Sequence, residues 1–124
     1  MKKLWVLSLI LCLALFACDL ETDEDVLEAQ FEVVSVTQDY YDYLGEWGYV
    51  EINYTITNTG TLHIDFYDVY FEVTCESGAV YSDWTCGLNV PVGKTYHDFT
   101  YVSVGNNKAL SARISGYELS NYDW

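Results

Sequence analysis

Hydrophobic and polar positions alternate most regularly between residues 49 and 75. Over 49–57, Val50, Ile52, Tyr54 and Ile56 fall on one face of an extended backbone and Glu51, Asn53, Thr55 and Thr57 on the other. Over 64–75, Val69, Phe71, Val73 and Cys75 form one row, opposed by Tyr70, Glu72 and Thr74. The period of two predicts two half-buried strands joined across the turn signal Asn58-Thr59-Gly60-Thr61. Ile64 and Phe66 have the opposite parity from Val69 and Phe71, which predicts a bulge or bend near Tyr67-Asp68 to restore the facing.

The same pattern extends outward. Residues 31–37, rich in β-branched and aromatic side chains, read as the first strand. Glu76-Ser77-Gly78 turns the chain into 79–86, and Pro91-Val92-Gly93-Lys94 into 95–104, where Phe99 and Tyr101 share a face. Gly105-Asn106-Asn107-Lys108 then leads into 110–119, with Leu110, Ala112 and Ile114 in one row. No stretch has convincing helical periodicity. Six or seven strands divided by turns predict an all-β fold, an antiparallel two-sheet immunoglobulin-like sandwich over residues 31–124.

The start of the chain breaks the pattern. Lys2 and Lys3 precede an apolar run over 4–16, short for a bilayer span and typical of a secretory signal, so residues 1–17 are expected to be removed. The sequence Leu15-Phe16-Ala17-Cys18 resembles the lipobox of bacterial lipoproteins. That resemblance implies acylation (palmitate-type chains) of Cys18 as the first mature residue, and location in the bacterial cell envelope, periplasmic or surface-exposed. Each buried acyl CH₂ contributes about 0.8 kcal/mol, so several chains hold a protein at the membrane durably.

Charge narrows the partners. The chain carries 19 acidic and five basic residues, two of the latter in the signal. So acidic a chain is unsuited to nucleic acid and to anionic lipid, leaving the lipid anchor to provide membrane attachment. Residues 18–30, with Asp19, Glu21, Asp23, Glu24, Asp25 and Glu28 and no base, read as a self-repelling tether. Asp19, Glu21 and Asp23 alternate like early calcium-loop ligands, but Glu24 stands where such a loop needs glycine and Gln30 where it needs a bidentate glutamate.

Asn58-Thr59-Gly60, Val69-Tyr70-Phe71-Glu72-Val73 and Val90-Pro91-Val92-Gly93-Lys94 together resemble the small FxLYD-like and related Ig-like modules of bacterial lipoproteins, over residues 49–117. The resemblance implies a structural or binding module with no catalytic residues.

Candidate chemistry is sparse. With Cys12 in the signal and Cys18 lipidated, Cys75 and Cys86 remain in a compartment that permits oxidation, and a disulfide between them is expected. It would contribute about 2 to 3 kcal/mol on the chain-entropy model. A tight turn at Ser77-Gly78 would place Cys75 near Val80, so the bridge requires the second strand to bend or change sheets. His63 and His97 lack ligand spacing, no metal or cofactor is expected, and no glycine-flanked nucleophile occurs. Asn53-Tyr54-Thr55, a glycosylation triplet by pattern, lies inside a strand and is read as coincidence.

The least ordinary composition is Tyr40, Tyr41, Tyr43, Trp47 and Tyr49 among Asp39, Asp42 and Glu46. Two expectations follow. One is a non-catalytic, lipid-anchored module that contacts another envelope protein through a sheet face or edge. The alternative is a surface carbohydrate-binding domain that stacks sugar rings on those aromatics. Core or edge packing of the same residues would be the structural explanation.

Overall fold

A computed structural model describes residues 24–122. Six strands follow in order: β1 (Ala29–Tyr41), β2 (Glu46–Asn58), β3 (Ile64–Cys75), β4 (Val80–Val90), β5 (Thr95–Val102) and β6 (Ala109–Ser120). They form two antiparallel three-stranded sheets, ordered β1-β2-β5 and β4-β3-β6. The chain is an all-β sandwich. Its central strands β2 and β3 follow each other in sequence but lie in different sheets, each paired with a late strand, β5 and β6. This is the Greek-key connectivity of immunoglobulin-like sandwiches.

The alternation explains the core. Val50, Ile52, Tyr54 and Ile56 of β2 face Val69, Phe71, Val73 and Cys75 of β3, and all eight are buried. Burying each such aliphatic or aromatic side chain contributes about 1.5 to 3 kcal/mol. Tyr54 and Phe71 meet across the two sheets with ring centroids 5.3 Å apart. The Tyr54 and Tyr67 hydroxyls, 3.0 Å apart, satisfy each other inside the core. Burial pushes both phenols above the usual tyrosine range. The shared hydrogen bond raises Tyr54 further and offsets part of the rise at Tyr67, and Asp98 adds a like-charge contribution to both.

Several expectations are corrected. The Tyr67-Asp68 bulge is absent: β3 pairs with β4 in unbroken register from Ile64 to Thr74. Inward facing passes from Ile64 to Tyr67 within β3, and Phe66 is only half-buried. The register breaks fall elsewhere, between Val33 and Ser35 and between Gln38 and Tyr40 in β1, and opposite Tyr70/Phe71 and Thr74/Cys75 in β6. One of these β6 breaks ejects Leu110 from its row, leaving it 67% exposed, while Ala112 and Ile114 pack against the core. Phe99 and Tyr101 do share a face, but it is the solvent face.

The folded unit also begins before Phe31. Glu28 O accepts from the amides of Thr59 and Gly60, and Val26 O from those of Thr61 and Leu62. The stretch 24–28 is thereby strapped across the β2–β3 loop, with Leu27 against the core. Gly60 is required there: a Cβ would lie 2.3 Å from Val26 O. Of the tether assigned to residues 18–30, 24–30 belong to the domain. The lipobox, Cys18 and the remainder of the tether lie outside the described residues.

The Cys75–Cys86 disulfide is not formed, and both thiols are free. Cys75 closes the tight β3–β4 turn, where its amide donates to Ala79 O, whereas Cys86 pairs with Asp68. Seven residues of strand, roughly 23 Å, separate the two levels of the ladder. β4 continues straight through Cys86 to Val90 rather than changing sheets, so the geometry of a bridge is out of reach.

Candidate functional site

The aromatic segment lies on a projecting hairpin. β1 runs on past its expected end at Thr37 to Tyr41, and β2 starts early at Glu46, so the five candidate residues occupy both arms and the turn. Gly45, at φ 64°, closes the loop with its amide donating to Tyr41 O at 2.8 Å. Tyr40 pairs with Trp47, their rings 4.8 Å apart and tilted by 56°. Tyr41 lies over Gly48, where a Cβ would come within 2.7 Å of its ring, and meets Tyr43 edge to face at 6.1 Å. Tyr43 is 82% exposed, and Leu44 and Tyr49 are exposed beside it. The structure thus brings all five together on the hairpin.

Polar side chains hold that hairpin against the body. Gln38 Nε2 donates to Gly48 O and Asn107 O, both at 2.9 Å, and Gln38 Oε1 accepts from the Ala109 amide at 2.8 Å. The Trp47 amide donates to Asn106 Oδ1 at 2.8 Å. Asn107 in turn donates to Tyr81 Oη and to Val104 O, while accepting from Ser77 Oγ. The Lys108 ammonium sits 5.5 Å from the Trp47 ring centroid and 3.5 Å from Glu76. These ties fix the aromatic surface to the β3–β4 turn and the β5–β6 loop.

Two clefts flank the hairpin. One, of about 290 Å³, is lined by Tyr41, Leu44, Glu46, Tyr49 and the 103–105 loop. The other, of about 210 Å³, lies between Val36, Gln38 and Trp47 on one side and Lys108, Ala109 and Leu110 on the other. Asp39, Asp42 and Glu46 border the surface with no cationic partner among the described residues.

A second aromatic surface escaped the sequence reading. Tyr70 of β3 pairs with Trp84 of β4 on one side and Gly116 of β6 on the other, all on the solvent face. Gly116 leaves open space beside Tyr70, and the resulting trough of about 540 Å³ also includes Ser82, Asp83 and Ser115. Partial desolvation, then Glu118 and Asp68, raise the Tyr70 phenol. The available signal was parity: Tyr70 alternates with the core residues Val69 and Phe71.

Among the described residues no group of three or more His, Cys, Asp or Glu side chains is placed to hold a metal ion. His63 lies near Asn89 and Asp65 at a loop, remote from the hairpin, and His97 pairs with Thr55 on the outer face of its sheet. No family model, curated protein or solved structure matches this chain.

Proposed function

We propose that this protein is a non-catalytic binding module of the bacterial cell envelope, lipid-anchored through Cys18, that contacts another envelope protein with its aromatic hairpin. One observation carries the reading: the hairpin projects from the end of the sandwich opposite the one where the chain enters. The strap at 24–28 sits on the β2–β3 loop, and the 13 residues of β1 then run to the tip, roughly 40 Å away. An anchor preceding that strap would present Tyr43 and Leu44 away from the membrane. Exposed, rigidly held tyrosines with few rotatable bonds suit protein recognition, because little conformational entropy is lost on contact.

Glycan binding is the second reading, favoured by the Trp84–Tyr70–Gly116 trough rather than by the hairpin. Its pairing sets two aromatic residues side by side on a solvent face, with Ser82 and Ser115 bordering the trough. The hairpin rings are tilted against each other by 56° and 65°, which suits an irregular protein surface better than a flat sugar.

The test is a photo-crosslinking residue at position 43 in the cell-expressed protein, beside a Cys18→Ala variant. Crosslinking to one discrete envelope protein, lost with Leu44→Asp, together with release of Cys18→Ala from membranes, is the expected result. Absence of any adduct, with polysaccharide retention that disappears in Trp84→Ala, favours the glycan. A Cys18→Ala protein that stays in the membrane fraction overturns the anchor.

A further inference from the structure

The two open sides of the sandwich are built differently. β4 faces β5 on one side and β1 faces β6 on the other. On the first side each edge strand carries an inward-pointing carboxylate. Asp98 pairs with Tyr54 and Asp83 with Phe71, and both partners are fully buried core residues, so both carboxylates lie on inner faces. Each accepts from the next backbone amide of its own strand, Phe99 N and Trp84 N, at 2.8 Å. A charge pointing inward from an edge strand obstructs the addition of another strand, because it would be buried without a partner.

The second side has no inward carboxylate, and its β1 edge is interrupted only by register breaks at Val33/Ser35 and Gln38/Tyr40. The inner-face positions of β1 include Phe31, Val33 and Val36, and those of β6 include Ala112, Ile114 and Leu119. These are incompletely covered, whereas the residues of β2 and β3 are fully buried. At one end Phe31 and Tyr117 close the seam, with ring centroids 4.7 Å apart. At the other the seam opens into the Val36–Trp47–Leu110 cleft, whose lining also includes Gln38 and the Glu76-paired Lys108, and which runs into the Tyr40–Trp47 face of the hairpin. Beyond the break at Val34, β1 from residue 35 to 41 is an edge with no outer strand among the described residues, continuous over 35–38 and bulged at Asp39.

Charge selects the occupant. The ion pairs among the described residues are His63–Asp65, Lys108–Glu76 and Arg113–Glu72, which leaves Asp39 on this edge, and Asp42 and Glu46 beyond it, without a cation. A second copy of so acidic a chain would bring further carboxylates to the same place.

We propose that the β1 edge over residues 35–41 receives an extended segment of a partner protein in which apolar and basic side chains alternate. The segment adds to the β1-β2-β5 sheet as a fourth strand. Its apolar side chains turn inward over Val36 and into the cleft, and its basic ones turn outward beside Asp39. This deepens, and rests on, the reading of the chain as a protein-binding module.

The probe is a capped heptapeptide of alternating valine and lysine, compared with a peptide of the same composition arranged in two blocks and with an alternating valine–glutamate peptide. Binding is measured by titration at physiological salt, and amide exchange locates the site. Expected are preferential binding of the alternating lysine peptide and at least tenfold slower exchange of the outward amides in 35–41. Val36→Asp, which reproduces the guard of β4 and β5, should abolish binding. Asp39→Lys, at an exposed position that leaves the fold intact, should transfer the preference to the glutamate peptide. Equal binding of the block peptide, protection on β4 or β5, no change of preference in Asp39→Lys, or a dimer whose 35–41 amides are already protected would overturn the proposal. If the peptide fails while the position-43 crosslink persists, the edge is wrong and the binding-module reading stands.

Discussion

Replacing Gln38 by alanine tests whether the hairpin is a prefixed surface or a loop that orders only on contact. The carboxamide makes three hydrogen bonds, to Gly48 O, Asn107 O and Ala109 N, and joins the hairpin to the β5–β6 loop. At about 1 kcal/mol net each, with some replacement by water at a partly buried site, their loss costs about 1.5 to 3 kcal/mol. The loss should fall on the hairpin, because the buried core around Val50, Ile52 and Phe71 is untouched. Since about 1.4 kcal/mol corresponds to tenfold in an equilibrium constant, amides in 40–48 should exchange about 10- to 100-fold faster, while those at the centre of β3 keep their rates. Gln38→Glu should be at least as damaging near neutral pH, because a carboxylate can donate to neither carbonyl, and the damage should ease as the solution is acidified. Unchanged hairpin exchange in Gln38→Ala, or acceleration spread evenly through β3, would refute the argument that this side chain clamps the site.

Four further outcomes follow from the geometry. Tyr54→Phe and Tyr67→Phe should each destabilise by about 1 to 3 kcal/mol, because each leaves a buried hydroxyl without its partner, and the double variant should cost less than their sum in denaturant unfolding. Because burial raises both phenols, stability should be intact below about pH 10 and fall above it, by about 1.4 kcal/mol per pH unit for each phenol ionised only in the unfolded chain; Tyr54→Phe should reduce that slope. In the native protein Cys86 should take up a thiol reagent while Cys75, buried and with its thiol raised by desolvation, reacts only after unfolding, and a peptide map should contain no Cys75–Cys86 link. Gly60→Ala, which presses a Cβ against Val26 O, should lower the melting temperature by at least the equivalent of about 2 kcal/mol, whereas Gly116→Ala, facing open space, should stay within about 0.5 kcal/mol.

The candidate site was legible as composition and not as architecture. Tyr40, Tyr41, Tyr43, Trp47 and Tyr49 stand out in any reading of the chain, yet the arms they occupy lack clean alternation. Beyond Gln38 the hairpin leaves the two-sheet core, so its side chains no longer need to divide into buried and solvated rows. Gln38, Asn106 and Asn107, which fix the aromatic surface in place, carry no local signal, because their partners lie up to 71 residues away. The trough at Tyr70 and Trp84 became visible only when β4 and β6 were laid on either side of β3.

The all-β class, the inward rows of β2 and β3 and the positions of most turns are legible in the amino-acid order alone, since these follow from a period of two and from local turn chemistry. The pairing of β2 with β5 and of β3 with β6, the expulsion of Leu110 by a register break, and the placement of Cys75 and Cys86 at different levels of one straight ladder come from the assembled fold. The division has a physical cause. Periodicity states which face of a strand is buried, whereas strand neighbours, register and the guarding of edges depend on how two separately twisted sheets close over a shared core.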